Sequence, residues 1–259
     1  MSRCDPMTTV IYSTRDPAGT NIANALEKDE KEMKIVKTDS GLLYAEKDVG
    51  GIRTDFLVFA SKHKSESGSP AFTIHVPGNW NAADMGGKAG QISKSDPIGM
   101  KAMAISLNKQ RKEANIDIAV WMEVDHHGPL CMTPCCFTEI GSTENEWKNK
   151  KYAAAVASAI ENLDDIRKEV DAKEIAFCIG GGHYCPAFNK MELEGGIAVA
   201  HVLPNYATDA VTIDTFMQAF ERTTEEIDVV LIDWKGLKTP QKEKMLKFAN
   251  EAGAEWRKA

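Results

Sequence analysis

The chain reads DFLVFA at residues 55–60, a continuous apolar run between polar residues that is typical of a β-strand buried on both faces. A longer run, IDIAVWMEV at residues 116–124, predicts a central strand. Further strands are predicted at Thr9–Ser13, Lys34–Lys37, Leu42–Ala45, Ala71–His75, Cys136–Ile140, Glu174–Ile179, Ile197–Val202 and Ile227–Ile232. A strand that is buried on both faces needs helices on both sides of its sheet.

Helix signals fall between these strands. Predicted helices run from Asp16-Pro17 to about Glu27, from Ser95-Asp96-Pro97 to about Glu113, from a capping box of Thr143 and Glu146 to about Val170, from Asp214 to Arg222, and from Thr239-Pro240 to Ala252. Strands that alternate with helices predict a doubly wound α/β fold, with a mixed, largely parallel sheet and helices on both faces. We expect a single domain over residues 1–259.

The composition is that of an ordinary globular chain, with 259 residues of which 43% are hydrophobic and 27% are charged. No apolar run approaches the roughly 20 residues of a membrane span, and Met1–Pro6 lacks the apolar core of a signal peptide. The irregular cysteines, including Cys4, predict reduced thiols in a cytosolic protein. A net charge of −7 argues against general DNA or RNA binding but leaves room for a local lysine patch.

Most of the six histidines lie in short contexts that contain Gly or Pro, and most directly follow an apolar run; they are His63, His75, His126, His127, His183 and His201. Loops that leave the carboxyl ends of strands converge in one crevice of an α/β sheet, so we expect these side chains to share a site. Imidazole is the commonest metal ligand and the commonest acid or base near neutral pH. The pattern therefore predicts a hydrolytic or metal-dependent enzyme.

The densest group is EVDHHGP at residues 123–129. Alternation along an extended strand would place Glu123, Asp125 and His127 on one side, yet a turn at Gly128-Pro129 can bring both imidazoles to one site. Zinc takes three or four N, O or S ligands, and a neighbouring carboxylate orients an imidazole. The alternative is a structural network of histidines and carboxylates at a turn.

A glycine-rich loop, GGGHY at residues 180–184, directly follows a predicted strand. Glycine lets backbone N–H groups approach an anion or a developing oxyanion, so Gly181, Gly182 and His183 are candidates for that role. A structural turn explains the glycines equally well. The loop has no Gly-Lys-Ser/Thr sequence and is not a Walker motif.

Two other loops add polar candidates. The long loop Val76–Pro97 offers Asn79 as a polar contact and Lys88 as an anion contact, although a solvated connection is equally expected. The sequence DWKG at residues 233–236 repeats the strand-then-polar pattern, so Asp233 and Lys235 either join the crevice or cap a turn. We interpret the thiols of Cys131–Cys136 as incidental, because no second pair at zinc-finger spacing exists.

These segments together resemble the archaeal-type D-aminoacyl-tRNA deacylases, a family shared with plants. The resemblance runs in order from about residue 9 to 250, through His63, TIHVPGNW (73–80), GGK (86–88), HHGP (126–129), FTEIGS (137–142), Glu146-Trp147, GGGHY with Pro186, HVLP (201–204) and DWKG. It implies a monomeric, cytoplasmic, zinc-dependent hydrolase that cleaves the ester between a D-amino acid and the 3′ end of tRNA. It also implies a fold related to phosphorylases and peptidyl-tRNA hydrolases. The chain departs from the family pattern at Cys131–Cys136.

The resemblance and the residues together give a predicted site. An aminoacyl ester is already activated, so hydrolysis needs a water nucleophile and charge stabilisation, which Zn²⁺ supplies. The predicted metal ligands are His63, His75, His126, His127 and Glu139, with up to two ions per chain. The predicted catalytic residues are Glu123, His126, His127 and His183, with Asp125 as a further carboxylate. The predicted substrate contacts are Asn79, Lys88, Gly181, Gly182, Asp233 and Lys235, with Lys62, Lys64 and Lys148 near the acceptor stem.

Two other enzyme classes stay open at this level. A zinc amidohydrolase or esterase acting on a small metabolite would use the same loops, and it suits the acidic pI near 5.5. A nucleoside phosphorylase-like enzyme would use the glycine loop for phosphate and the histidines for the base or ribose, without metal. Metal content separates the phosphorylase from the other two, and dependence of turnover on the tRNA body identifies the deacylase.

Overall fold

The computed structural model describes residues 8–28 and 33–259. The strands are β1 Thr8–Ser13, β2 Lys34–Thr38, β3 Phe56–Lys62, β4 Ala71–His75, β5 Gly78–Asn79, β6 Gln91–Ile92, β7 Ala119–Met122, β8 Cys135–Gly141, β9 Glu174–Ile179, β10 Ile197–Leu203, β11 Val229–Ile232 and β12 Trp256–Lys258. The helices are α1 Pro17–Leu26, α2 Glu46–Val49, α3 Pro97–Glu113, α4 Glu144–Trp147, α5 Lys150–Glu161, α6 Leu163–Glu169, α7 Pro186–Glu194, α8 Ile213–Glu221 and α9 Thr239–Glu251, with 3-10 turns at Leu42–Tyr44 and Asn205–Ala207. Met1–Pro6, with Cys4, lies outside the described residues.

Two larger sheets carry the fold. The first has the strand order β2-β1-β3-β8-β4-β7, and the second has the order β10-β9-β11-β12. Only the β4–β8 pair is antiparallel among the paired strands of these two sheets as described. The predicted α/β class with mixed, largely parallel strand pairing is therefore confirmed, but the strands divide between two sheets where one was predicted.

The segment after β7 joins the two sheets. The Asp125 N–H donates to the Val202 carbonyl of β10 at 3.0 Å, and the Val124 N–H donates to the His183 carbonyl at 3.1 Å. Helix α3 packs against both β7 and β10, and one hydrophobic cluster contains residues of both sheets. The loop after β7 consequently lies beside the loop after β9.

The predicted helix starts at Asp16 and Asp96 are confirmed, because each carboxylate accepts the N–H three residues on, at 2.9 and 2.7 Å. The predicted long helix after Thr143 is wrong. Its capping box starts α4, but the Asn149 side chain accepts the N–H groups of Lys151 and Tyr152 and so begins α5 as a new helix. None of the described helices is long and apolar enough to cross a membrane.

Two strand predictions are also wrong. Leu42–Ala45 forms a 3-10 turn, in which the Tyr44 and Ala45 N–H groups bond to carbonyls three residues back. The run at residues 116–124 contributes only β7, and β7 is an edge strand that pairs with β4 alone in the first sheet as described. Sequence patterns did not predict α7 or β12, and the long loop after His75 contains the β5–β6 ribbon.

Candidate active site

Five of the six histidines gather around the fully buried side chain of Glu123. His63 Nδ1 and His183 Nε2 lie 3.0 and 3.4 Å from its Oε1 atom. His126 Nε2 and His75 Nε2 lie 3.7 and 3.9 Å from its Oε2 atom. We call these residues, with His127 and Glu139, the histidine cluster.

The cluster draws its members from strands of both sheets. His63 follows β3, His75 ends β4, residues 123–127 follow β7, and His183 follows β9. Since β4 is antiparallel to β8, His75 pairs with Phe137 and stacks on its ring at 5.1 Å. The predicted convergence of the loops occurs, but the cluster extends across β8 and does not lie along one edge of parallel strands.

Three imidazoles in the cluster present the same nitrogen to a common space. His75, His126 and His127 each use Nδ1 to donate to a backbone carbonyl, at 3.2, 2.8 and 2.7 Å. Each Nε2 atom therefore keeps its lone pair, and the three rings offer ligand atoms within 4.8 Å of one another. Burial lowers the pKa of all three, so they are neutral and suited to bind a metal ion.

Unpartnered atoms also indicate that the cluster fits a cation. His75 Nε2 and both oxygens of Glu123 are buried without a directed hydrogen bond. Ligand atoms of His75, Glu123 and Glu139 also lie within 4.8 Å of one another. His127 has a φ of +45°. This left-handed conformation costs energy in a residue with a β-carbon, and such residues cluster at active and ligand-binding sites. A divalent metal such as zinc suits this donor set.

His63 differs electrostatically from the three neutral imidazoles. Burial disfavours its imidazolium form, but the carboxylates of Glu123 and Glu139, 3.0 and 3.5 Å from its Nδ1 atom, outweigh that effect and raise its pKa to about 11. Its Nε2–H donates to the Tyr184 hydroxyl at 2.9 Å. Burial, with the charge of Glu123, raises the pKa of Glu139 to about 7, whereas His183 and His63 overcome the burial effect on Glu123 and lower its pKa. Glu123 is thus ionised, and Glu139 is partly protonated at neutral pH.

His201 and Asp125 lie apart from the cluster. The fully buried His201 donates from Nδ1 to Asp125 Oδ2 at 2.7 Å, and the Val202 N–H donates to Oδ1 of the same carboxylate at 2.9 Å. This pair, which we call the His201–Asp125 pair, lies where the two sheets join. The expected convergence of all six histidines is therefore wrong for His201, and Asp125 bonds to the second sheet and takes no part in the cluster.

The glycine loop has its own internal structure. Gly180 has a φ of +133°, and a β-carbon there would lie 2.5 Å from Asp233 Cβ. The Gly182 N–H donates to the Tyr184 carbonyl at 3.1 Å, so this amide, predicted for an anion, is already used. Gly181 accepts the Asn205 N–H through its carbonyl at 2.9 Å. The loop presents His183, whose side chain is 45% exposed, towards Glu123.

The other predicted substrate contacts have local roles or stand apart. Asn79 donates to the Gly86 carbonyl at 2.8 Å and so holds its own loop. Asp233 accepts the Gly236 N–H at 3.1 Å and closes a turn. Among the predicted cations, Lys62 and Lys64 line a cavity beside the cluster, whereas Lys88, Lys148 and Lys235 are exposed and line neither cavity described below.

Two cavities open on the two sides of the cluster and share the walls formed by Met85, His126, His127 and His183. The first, of about 410 Å³, is lined by Tyr44; the second, of about 420 Å³, is lined by Tyr206. We call them the Tyr44 cavity and the Tyr206 cavity. Sequence reasoning missed Tyr44 and Tyr206, and also Arg15, whose position just after β1 repeats the strand-then-polar pattern.

Comparison with known proteins gives a consistent result. The sequence model of the D-aminoacyl-tRNA deacylase family matches residues 51–257, which include the whole histidine cluster. The D-aminoacyl-tRNA deacylase of Archaeoglobus fulgidus is 34% identical and covers 96% of this chain and 95% of its own length. That of Methanocaldococcus jannaschii is 33% identical, with 95% and 97% covered. A crystal structure of a conserved protein of unknown function, AF0625, has a TM-score of 0.87 at 33% identity, with 98% and 95% covered.

Proposed function

The chain belongs to the D-aminoacyl-tRNA deacylase family, and we propose that it hydrolyses the ester between a D-amino acid and the 3′ end of tRNA. The observation that carries the proposal is the histidine cluster, in which His126, His127 and His183 each line both cavities. A bond held between the cavities would lie against these rings.

His183 is the residue best placed to act as general base. Its side chain is half-exposed and lines both cavities, and its Nε2 atom lies 3.4 Å from Glu123. A proton taken from water by this imidazole would create a cation, which the ionised Glu123 carboxylate stabilises. Glu123 is too buried to touch the substrate, so we assign it the role of a positioning residue.

His75, His126 and His127 would hold a zinc ion, because their neutral Nε2 atoms face one space. Zinc supplies Lewis acidity, which polarises an ester carbonyl and lowers the pKa of water. His63 has both ring nitrogens within hydrogen-bonding distance of Tyr184 or Glu123. A second ion there would have to displace a proton from His63, so we propose one zinc ion per chain.

One chain supplies the complete cluster, and the cluster needs both sheets. His183 follows a strand of the second sheet, whereas the other members come from the first. This supports a single domain that acts as a monomer. Since its substrate would be aminoacylated tRNA, we propose that the enzyme works in the cytoplasm.

Deacylation assays test this function directly. Purified protein should release the amino acid from D-tyrosyl-tRNA and spare L-tyrosyl-tRNA, and elemental analysis should find zinc. Equal hydrolysis of a simple D-tyrosine ester and of D-tyrosyl-tRNA would favour a small-metabolite esterase. Phosphate-dependent cleavage of nucleosides by metal-free protein would favour the phosphorylase class.

A further inference from the structure

The two cavities differ in charge. Arg15, Lys62 and Lys64 line the Tyr44 cavity, and none of them forms an ion pair with a described residue. The cavity also has two carboxylates: Asp16 accepts the Lys62 N–H at 2.9 Å and its pKa is raised by burial, and Glu139 lies 3.5 Å from His63 Nδ1. The described lining of the Tyr206 cavity includes no lysine or arginine; it has the exposed carboxylate of Asp84, whereas the oxygens of Asp125 are used within the His201–Asp125 pair. An anion is therefore favoured on one side of the cluster and a cation on the other.

Each cavity also has one exposed tyrosine, with Tyr44 62% and Tyr206 61% exposed. Tyr44 ends a 3-10 turn that packs closely against Gly86, where a β-carbon would lie 1.8 Å from the Leu43 carbonyl oxygen and 3.3 Å from the Tyr44 ring. The Gly87 N–H donates to Glu46 at 2.9 Å, which ties this loop to the helix after Tyr44. The backbone of Tyr44 is thus held while its ring stays accessible.

We propose that the Tyr44 cavity binds the 3′-terminal nucleotides of tRNA, with a base stacked on Tyr44 and phosphates facing Arg15, Lys62 and Lys64, and that the Tyr206 cavity binds the D-aminoacyl group. An aromatic ring beside unpaired cations is the arrangement with which proteins bind single-stranded nucleic acid. The aminoacyl group carries an α-ammonium, which suits the exposed Asp84 carboxylate of the other cavity.

The assignment also orients the substrate. The ester joins the terminal ribose to the aminoacyl group, so a substrate that occupies both cavities places this bond at the wall they share. That wall is formed by His126, His127 and His183 with Met85. The inference rests on the proposed function, since it assigns the two ends of that substrate.

Binding of the trinucleotide CpCpA, which has the sequence of a tRNA 3′ end, tests the assignment without turnover. Tyr44→Ala should weaken binding on the order of tenfold, as expected for the loss of one base stack, and Tyr44→Phe should retain it. Arg15→Glu and Lys64→Glu should weaken binding and make its salt dependence shallower by about 0.7 per contacted phosphate. Lys109→Glu, on an exposed position of α3, serves as the matched charge control and should bind as the wild type does.

Tyr206→Ala is the reciprocal variant. It should bind CpCpA as the wild type does and should raise KM for D-tyrosyl-tRNA. Unchanged CpCpA binding by Tyr44→Ala, or equal weakening by Tyr206→Ala, would overturn the assignment. The proposed function would survive that result as long as the wild type deacylates D-tyrosyl-tRNA, and it would fail separately if the wild type does not.

Discussion

The histidine cluster and the His201–Asp125 pair are built from the same residue types, yet their polar atoms are used to different extents. Both oxygens of Asp125 accept hydrogen bonds, at 2.7 and 2.9 Å. In the cluster, His75 Nε2 and both oxygens of Glu123 are buried without a directed partner. Burying an unpartnered polar group costs free energy that a bound ligand can recover. Unused bonding capacity at His75 and Glu123, and not burial, therefore distinguishes the cluster from the His201–Asp125 pair.

Removing the metal ion should lower the activity of the histidine cluster more than any substitution does. Chelation should reduce deacylation to the uncatalysed rate, because His75, His126 and His127 then have no ion to hold, and added zinc should restore it. Zinc should also raise the melting temperature, since a ligand that binds only the folded state stabilises it. His75→Ala should lose that increase. Full activity in protein shown by elemental analysis to be metal-free would contradict the assignment.

His126→Ala and His127→Ala should each lower kcat/KM by at least ~10²-fold, the scale for loss of an acid, base or ligand to the reacting centre. The fold should persist in both, because these imidazoles bond only to carbonyls of their own loop, at Val124 and Gly128. Circular dichroism and deacylation assays on the same preparations measure both properties. Wild-type turnover in either variant would mean that its imidazole serves only the turn.

Glu123→Gln and Asp125→Asn should differ in their effect on kcat. Glu123→Gln removes the charge that faces the His63 imidazolium and that would stabilise a protonated His183, so activity should fall, and stability should fall too because a buried ion pair loses one partner. Asp125→Asn disturbs a fully used carboxylate, so the protein should lose about 3 kcal/mol of stability, while kcat of the folded fraction changes little. Denaturant unfolding and single-turnover assays separate the two. An equal loss of kcat in the folded fraction of both variants would remove the distinction between the two sites.

The sequence predicted the parts of the fold that depend on local chemistry. The apolar run at residues 55–60 became the core of β3, and Asp16 and Asp96 cap their helices as expected. It did not predict the direction of β4 or the division into two sheets, because strand pairing is decided by residues far apart in the chain. A local capping box likewise could not show that Asn149 would begin a second helix.

The same limit applied to the site. His63 and His201 each belong to a strand or follow one, and only the tertiary partners, Glu123 for one and Asp125 for the other, separate their roles. Tyr44 was missed because its run was interpreted as a strand, and exposure at a cavity wall has no sequence signature. The loop histidines were found because residue type and strand ends are both visible in the sequence.

Glu192 on α7 is another buried carboxylate, and its substitution has the smallest expected effect. It extends the comparison of Glu123 with Asp125 to the dependence of stability on pH. Burial raises its pKa from 4.5 to about 7, only partly opposed by the nearby Lys101. The folded protein therefore holds a proton on Glu192 between about pH 4.5 and 7, where the unfolded chain has released it. This group's contribution to stability is present below pH 4.5 and is lost as the pH rises through 7.

Glu192→Gln keeps an oxygen that can accept the Val199 N–H, which the wild-type carboxylate accepts at 2.9 Å, but it cannot titrate. Between pH 5 and pH 8 the variant should gain on the order of 2 to 3 kcal/mol of stability relative to the wild type. Urea unfolding at both pH values measures this difference, and the exposed Glu194→Gln on the same helix should show none. If Glu192→Gln gives the same difference in stability at both pH values, Glu192 is ionised in the folded protein. An ionised Glu192 would show that a buried carboxylate in this chain keeps its charge without the imidazoles that surround Glu123.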